Sequence, residues 1–214
     1  EVVAVLRPSD TLVIMSDHGF GGFFRGFQLN RFLVDAGFLA IRKDTGAEFF
    51  ADVDWAQSRA YALGTGSIFL NQADREAQGV VQTAERQQLL SLLQRALENV
   101  EDSGTRPVSA TYTVDTAFRG AAAAPDLRVA LRDGYRASWA TALGGIGAGV
   151  FEDNLRHWSG DHASAKPEDV PGLLLTNKKL RPSEARIEDL AVTAFQFFGI
   201  KIGAPFGKPL FASE

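Results

Sequence analysis

Two continuous apolar runs dominate the pattern of hydrophobic and polar positions along the chain. One run covers residues 11–16 (TLVIMS), and the other covers residues 172–176 (GLLLT). Continuous rather than alternating apolarity is typical of a strand that is buried on both faces, as in the middle of a parallel sheet. Both runs are therefore predicted to form buried strands.

Helical spacing of apolar residues occurs in three segments. Residues 28–36 predict a short amphipathic helix that ends at Gly37. Leucines at positions 89, 90, 93 and 97 give residues 83–101 one apolar face, which predicts the clearest helix of the chain. Apolar positions 187, 190, 191, 194, 195 and 198 predict a helix over residues 187–198 that packs on the sheet through this face.

The remaining strand patterns are shorter and less regular. They cover residues 38–42, 59–63, 67–70, 108–114 and 126–131, and an alanine-rich turn is predicted at 121–125. Strands and helices interleave along the chain, which indicates the α/β class. The irregular middle, roughly residues 45–135, is predicted to be an insertion or cap within the domain.

Composition narrows the classes of function. Apolar residues make up 45% and charged residues 22% of the 214 residues, which is typical of a globular protein and excludes a disordered or fibrous chain. The net charge of −4 argues against general binding to nucleic acid, and no apolar run is long enough to span a membrane. The chain has no cysteine, so disulfides and thiolate metal sites are excluded and the compartment is left open.

Candidate chemistry begins where the first apolar run ends, at Asp17-His18-Gly19. In an open α/β sheet the ligand crevice lies outside the carboxyl ends of the strands. A carboxylate and an imidazole at that end suit Zn²⁺ or Mn²⁺. The alternative is that Asp17 caps the next segment and that His18 is its hydrogen-bond partner.

A second carboxylate–imidazole pair, Asp161-His162, lies in a polar stretch before the second apolar run. His162 is a candidate metal ligand in this position, because it too lies at a loop edge of the predicted sheet. The alternative is that His162 is an ordinary surface histidine.

Common nucleotide and nucleophile motifs are incomplete or missing in this sequence. The glycine-rich segments 19–22 and 144–149 do not complete the dinucleotide-binding pattern, so a dinucleotide fold is a weak candidate. The sequence also lacks a phosphate-binding Gly-Lys-Ser/Thr loop and a Gly-x-Ser-x-Gly nucleophile elbow.

Several stretches together resemble the type I phosphodiesterase/nucleotide pyrophosphatase family of the alkaline phosphatase superfamily. The resemblance covers nearly the whole chain, and its most specific parts are Ser16-Asp17-His18-Gly19 and Gly160-Asp161-His162. The matching segments are residues 10–20 (DTLVIMSDHGF), 28–30 (QLN) with 32–33 (FL) and 37–39 (GFL), 60–64 (AYALG), 124–127 (APDL), 134–139 (GYRASW), 158–162 (WSGDH), 171–174 (PGLL) and 197–200 (FFGI).

The resemblance implies a fold, a chemistry and a set of ligands. The fold is an alkaline-phosphatase-like central sheet flanked by helices, and the cofactors are two divalent metal ions, usually zinc, with manganese also possible. Asp17 and His18 match the ligands of the metal beside the nucleophile, and His162 matches a ligand of the other metal. Asp161 is a candidate residue that does not bind the metal itself but orients His162 or a water molecule. The substrate class is a small phosphate ester, a phosphodiester, pyrophosphate or phosphomonoester.

The departures from the family pattern imply that this chain is the C-terminal part of such a catalytic domain. The family's nucleophilic Thr or Ser, its accompanying Asp, and an Asp and a His for the other metal all precede the Ser-Asp-His-Gly strand. Only sixteen residues precede Asp17, and the chain starts at Glu1 with Met15 as its single methionine. No catalytic nucleophile is therefore expected within these residues.

The expected consequences are weak or no metal binding, inactivity of this part alone, and self-association through an exposed part of the sheet. Two alternative functions remain open at this point. The chain is a non-catalytic fragment or a pseudoenzyme that serves as a binding module, or it belongs to the same superfamily and acts as part of a sulfatase, a phosphonate hydrolase or a phosphosugar enzyme.

Overall fold

The computed structural model describes residues 1–113, 124–162, 166, 168–181, 185–200 and 207–211. Contacts between residues divide the chain into two units, which are Glu1–Gly19 with Pro171–Glu214, and Phe20–Val170. The described residues form a mixed α/β structure with several sheets.

The elements are numbered in chain order. The strands are β1 (Val13–Met15), β2 (Gly21–Phe27), β3 (Ala60–Leu63), β4 (Ser67–Leu70), β5 (Val108–Thr113), β6 (Leu127–Leu131), β7 (Gly134–Ala137), β8 (Phe151–Asp153), β9 (Gly160–Asp161) and β10 (Leu174–Thr176). The helices are α1 (Leu29–Asp35), α2 (Arg86–Asn99), α3 (Trp139–Ala142) and α4 (Ile187–Phe197), with short 3-10 helices at Val2–Val5 and Thr83–Glu85.

In the larger unit, one sheet is organised around β2. Strand β7 pairs parallel with β2, while β8 and β9 both pair antiparallel with it. Helix α1 follows β2 directly, and its residues Leu29 and Leu33 are fully buried. Strand β2 therefore connects three later segments of the chain to the core.

The second sheet of the larger unit is antiparallel, with the strand order β3-β4-β6-β5. Helix α2 contributes to its core through Leu89, Leu90, Leu93 and Leu97, all of which are fully buried. Burial of four leucines at helical spacing stabilises the helix by about 1.5–3 kcal/mol for each side chain.

The smaller unit contains an antiparallel pair of strands, β1 and β10, with Ile14 opposite Leu175. Helix α4 is held by a polar face, because Asp189 and Thr193 are buried while Ile187 and Phe198 are exposed. The Asp189 carboxylate accepts hydrogen bonds from the backbone N–H groups of Arg186 and Lys208 at 2.9 and 2.7 Å.

Many elements that the sequence predicts are confirmed. They are helix α1, helix α2, helix α4, and strands β3, β4, β5, β6 and β10, whose bounds lie within a few residues of those predicted. The predicted α/β class is also confirmed. The alanine-rich turn at 121–125 lies largely outside the described residues, and residues 45–135 fall within the larger unit, so the insertion stays a prediction.

Three structural predictions are wrong. Neither β1 nor β10 is a strand buried on both faces within a parallel sheet, because the two pair antiparallel with each other and Ile14, Met15 and Leu175 are 47%, 41% and 52% exposed. Residues 38–42 form no strand; Ile41 makes a single isolated bridge with Val53. The apolar side of α4 does not pack on a sheet, because Ile187, Phe195 and Phe198 are 56%, 38% and 79% exposed. The polar side packs instead, through hydrogen bonds from the backbone of residues 207–211.

The sheet around β2 is a structure that the sequence did not predict. Strand β2 contains Gly21, Gly22 and Gly26, which weaken a strand when isolated. Here a neighbouring side chain takes the space: a Cβ atom on Gly26 would lie 2.9 Å from Cγ of Glu152 on the paired strand β8. A larger residue at this position would therefore displace the Glu152 side chain.

None of the helices that the structure describes has both the length and the apolar content needed to cross a membrane.

Acid is expected to destabilise the larger unit through Asp102. The Arg25 guanidinium donates two hydrogen bonds to this carboxylate at 2.8 and 2.7 Å, and the Tyr135 hydroxyl donates a third at 3.0 Å. These bonds, those from Arg25 first, hold the pKa of Asp102 below its ordinary value. The stabilisation is present above the unfolded pKa of about 3.9 and is lost as the pH falls through the lower folded value.

Urea denaturation between about pH 6 and about pH 2.5 measures this effect. The Asp102→Asn variant should lose less stability across that range than the unmodified chain, since its side chain no longer titrates. The exposed residue Glu98 provides the control, and Glu98→Gln should leave the pH dependence unchanged. Equal losses of stability in the unmodified chain and in Asp102→Asn would contradict the role assigned to the Asp102 carboxylate.

Candidate functional site

The end of strand β1 brings the first two predicted ligands together. Oδ2 of Asp17 lies 3.3 Å from Nε2 of His18, and the two side chains are 66% and 32% exposed. Ser16, just before them, is fixed to the neighbouring strand: its N–H donates to the Leu173 carbonyl, and its Oγ accepts from the Leu173 N–H, both at 2.9 Å. The pair is therefore held by the strand end and is open to solvent.

The hydrogen bond on the other side of the His18 ring determines what the pair can bind. Nδ1 of His18 lies 3.0 Å from the Gly19 carbonyl oxygen, which can only accept, so Nδ1 carries the proton. In a neutral imidazole, Nε2 is then an acceptor, and it faces the acceptor oxygen of Asp17. A shared proton or a cation between the two atoms satisfies both of them. This geometry suits a divalent metal ion, which binds imidazole nitrogen and carboxylate oxygen.

Asp17 also lines a small cleft of the smaller unit. The cleft has a volume of about 210 Å³, and its other lining residues include Ser16, Gly172, Arg186 and Ile187. Arg186 immediately precedes helix α4 and adds a guanidinium to the lining. The lining of the cleft thus combines the Asp17 carboxylate with the Arg186 guanidinium.

The other two predicted residues lie on and just after strand β9 in the larger unit. Asp161 is opposite Gly21 of β2, and His162 follows it as an exposed residue. The His162 ring meets the ring of Phe20 edge to face, with 5.3 Å between the ring centroids. His162 is therefore oriented partly by an aromatic neighbour and is accessible to a ligand.

The carboxylate of Asp161 is bound by Arg136, a residue that sequence reasoning missed. Nη1 of Arg136 donates to Oδ2 of Asp161 at 2.6 Å, and both side chains are largely buried, at 3% and 13% exposed. Burial lowers the pKa of Arg136, and the attraction of Asp161 opposes that shift. The ion pair joins β7 to β9 and fixes the position of the residue before His162.

The guanidinium of Arg136 also lies over two aromatic rings. Its carbon is 3.8 Å from the ring centroid of Trp139 and 5.0 Å from that of Phe23, both in the range of cation–π contact. The sequence held one signal for this contact. Arg136 lies between Tyr135 and Ala137 in a short strand, three positions before Trp139. That signal indicates a buried cation but does not identify the carboxylate that binds it.

The predicted ligands do not complete a metal site within the described part of the chain. Among residues 1–113, 124–162 and the later described stretches, no group of three or more His, Cys, Asp or Glu side chains could hold a metal ion. Asp17 and His18 supply two donors with suitable geometry, whereas a catalytic site of this type needs about three protein ligands for each metal. The residues present fit part of such a site.

Comparison with known proteins found no protein family, no curated protein and no solved structure that matches this chain. The family resemblance therefore stays a prediction from the sequence motifs around Asp17 and His162. Any function has to be argued from the geometry of those residues.

Proposed function

We propose that this chain is part of a metal-dependent hydrolase of the alkaline phosphatase superfamily. Within that superfamily we propose the type I phosphodiesterase/nucleotide pyrophosphatase family. The substrate is a small phosphodiester, pyrophosphate or phosphomonoester. Cleavage passes through a covalent phospho-Thr or phospho-Ser whose nucleophile lies outside this chain. The observation that carries the proposal is the Asp17–His18 pair, in which Oδ2 of Asp17 and Nε2 of His18 lie 3.3 Å apart just after a strand end.

Two divalent ions, zinc or manganese, would supply charge neutralisation of the phosphoryl oxygens and would lower the pKa of the attacking hydroxyl. Asp17 and His18 would hold the ion next to the nucleophile. The Gly19 carbonyl accepts from Nδ1 of His18 and orients the ring, so that Nε2, on the side of Asp17, would be the ligand atom. His162 would be a ligand of the second ion, and the Arg136–Asp161 pair would hold the strand that precedes it.

The proposal requires further ligands from outside this chain, and the surface of the smaller unit supports this requirement. Apolar side chains on both strands and on the helix of this unit are exposed: Ile14 47%, Leu173 50%, Leu175 52%, Ile187 56% and Phe197 57%. Such a surface is typical of a protein interface. We assign it to the packing of the part of the sheet that carries the nucleophile and the remaining ligands.

The test uses a longer form of the protein that includes the proposed upstream residues. With zinc or manganese present, it should hydrolyse bis-(p-nitrophenyl) phosphate. His18→Ala and His162→Ala should each lower kcat/KM by about 100-fold or more. Loss of a residue that only hydrogen-bonds to a metal ligand already costs about 10–100-fold, and loss of the ligand itself should cost at least as much. Release of p-nitrophenolate measures the rate.

The chain supplies a matched control, since His157 is its third histidine and is exposed. The His157→Ala variant should retain the activity of the unmodified protein. Full activity in His18→Ala or His162→Ala would contradict the ligand assignment. Hydrolysis of p-nitrophenyl sulfate in preference to the phosphodiester would assign the protein to sulfate esters, and activity on neither ester would favour a non-catalytic binding module.

A further inference from the structure

A second cleft, in the larger unit, is lined by none of the predicted metal ligands. It has a volume of about 560 Å³, within the range of small-molecule sites. Its floor is formed by Phe23 and Gly26 of β2 and by Gln28, the residue that follows β2. One wall begins with Trp139 of α3, and the other is the segment 152–156.

A buried amide in the floor of this cleft has an unused donor. Gln28 is only 3% exposed, and its Oε1 accepts a hydrogen bond from Oγ of Ser138 at 2.5 Å. Gly147 packs so closely against the amide that a Cβ atom there would lie 2.5 Å from Cδ of Gln28. Nε2 of Gln28 has no acceptor among the described residues, and the atom is not sealed from solvent, because Oδ1 of Asn71 is the one described buried side-chain atom without a partner. Nε2 therefore reaches the cleft that Gln28 lines. A donor fixed in this way at the surface of the cleft can donate to water or, in its place, to an acceptor atom of a ligand.

Trp139 gives the cleft an aromatic wall. The residue is 43% exposed although the Arg136 guanidinium lies against the indole, 3.8 Å from its centroid. Tryptophan combines a large apolar surface with one N–H donor, so it suits a ligand with both an apolar face and polar edges. Arg136 holds the ring from within the fold, which fixes the orientation of this wall.

The charges around the cleft discriminate between classes of ligand. Three carboxylates, those of Glu48, Glu152 and Asp153, line the cleft against one guanidinium, that of Arg156, so the lining is net negative and disfavours a phosphate or a carboxylate. A cation is disfavoured at the indole, because Arg136 already lies against it and the Arg156 guanidinium is 5.6 Å from its centroid. A neutral ligand avoids both forms of repulsion.

We propose that this cleft binds a neutral sugar ring, a pyranoside without phosphate or amino groups. The C–H face of the ring stacks on Trp139, and one hydroxyl oxygen accepts from Nε2 of Gln28. The carboxylates of Glu48 and Glu152 accept from further hydroxyl groups. The site involves none of the residues assigned to metal binding, so it stands independently of the proposed hydrolase activity.

The test follows the indole N–H signals of the full 214-residue chain by NMR. The chain has three tryptophans, and the signals of Trp139 and Trp158 are assigned with the Phe variants of each. The probes are the methyl pyranosides of glucose, galactose and mannose, with glucose 6-phosphate and glucosamine as the same ring in anionic and cationic form. At least one neutral pyranoside should shift the Trp139 signal with a Kd of about 1–10 mM.

Two variants and one control complete the experiment. Trp139→Ala should weaken binding by about tenfold, monitored through the backbone signals of residues 152–156. Trp158, 62% exposed and outside the cleft lining, is the control, and Trp158→Ala should retain full affinity. If thermal melting shows that Trp139→Ala is unfolded, Glu152→Gln replaces it, with weaker binding again expected.

Three results would overturn the proposal. They are the absence of a Trp139 shift with all three neutral pyranosides, undiminished binding in the folded variant, and tighter binding of glucose 6-phosphate or glucosamine than of the neutral ring.

Discussion

Replacing Asp126 with alanine is expected to lower the free energy of unfolding by about 3–5 kcal/mol. The residue is 2% exposed, and its two carboxylate oxygens accept from four donors. They are the Leu70 N–H at 2.8 Å, Nε2 of Gln72 at 3.0 Å, Nη2 of Arg75 at 2.7 Å and Nε of Arg86 at 3.2 Å. Without the carboxylate, the partly buried guanidinium groups of Arg75 and Arg86 would lose the negative charge that they share.

This site connects β4, β6 and the start of α2, so the loss should affect the whole second sheet. Thermal unfolding of the larger unit should shift down by about 10 °C, since about 1 kcal/mol corresponds to about 2–4 °C at this size. Asp74 is the matched control, because it is exposed and lies beside Arg75, and Asp74→Asn should change the stability by less than about 0.5 kcal/mol. A comparable loss in both variants would contradict the role of Asp126.

The second large effect is expected at Arg136. Arg136→Met keeps most of the side-chain length but leaves the Asp161 carboxylate, 13% exposed, without its cation. The expected loss is about 3 kcal/mol, because removal of one partner of a buried pair leaves an uncompensated charge. The loss includes the stacking of the guanidinium on Trp139. Urea denaturation with tryptophan fluorescence measures the change.

A double-mutant cycle separates the ion pair from the packing. Asp161→Asn in the Arg136→Met background should recover part of the stability, because the unpaired charge is gone. Arg132 is exposed in the same region, and Arg132→Met should be nearly neutral. If the double variant is less stable than Arg136→Met by the full cost of Asp161→Asn alone, the two residues do not interact energetically.

The sequence predicts the elements whose apolar pattern agrees with their final environment. Helix α2 is the clearest case, since its four leucines at helical spacing are the residues that become buried. The pattern failed at α4, where the apolar side is exposed and Asp189 and Thr193 are buried. Backbone groups of residues 207–211 bind that polar side, and no local periodicity reveals such a partner.

The site was predictable only where the chemistry is local. Asp17 and His18 are adjacent in sequence, so their proximity follows from chain connectivity. The contact between Arg136 and Asp161 depends on the pairing of β7 and β9 with β2, a glycine-rich strand that apolar patterns do not reveal. Pairing between distant strands depends on tertiary structure, and one sequence holds little local signal for it.

The position of β2 has a consequence for the order in which this chain folds. Every pairing of β2 closes a long loop: 111 positions separate Gly22 from Asp133 and 128 separate Arg25 from Asp153, residues that contact each other directly. By contrast, β3 and β4 form a hairpin across residues 64–66. Loop-closure entropy has to be overcome before distant contacts contribute, which makes such pairing slow. The hairpin can therefore form early, whereas β2 and the walls of its cleft assemble only after the C-terminal half of the larger unit is in place.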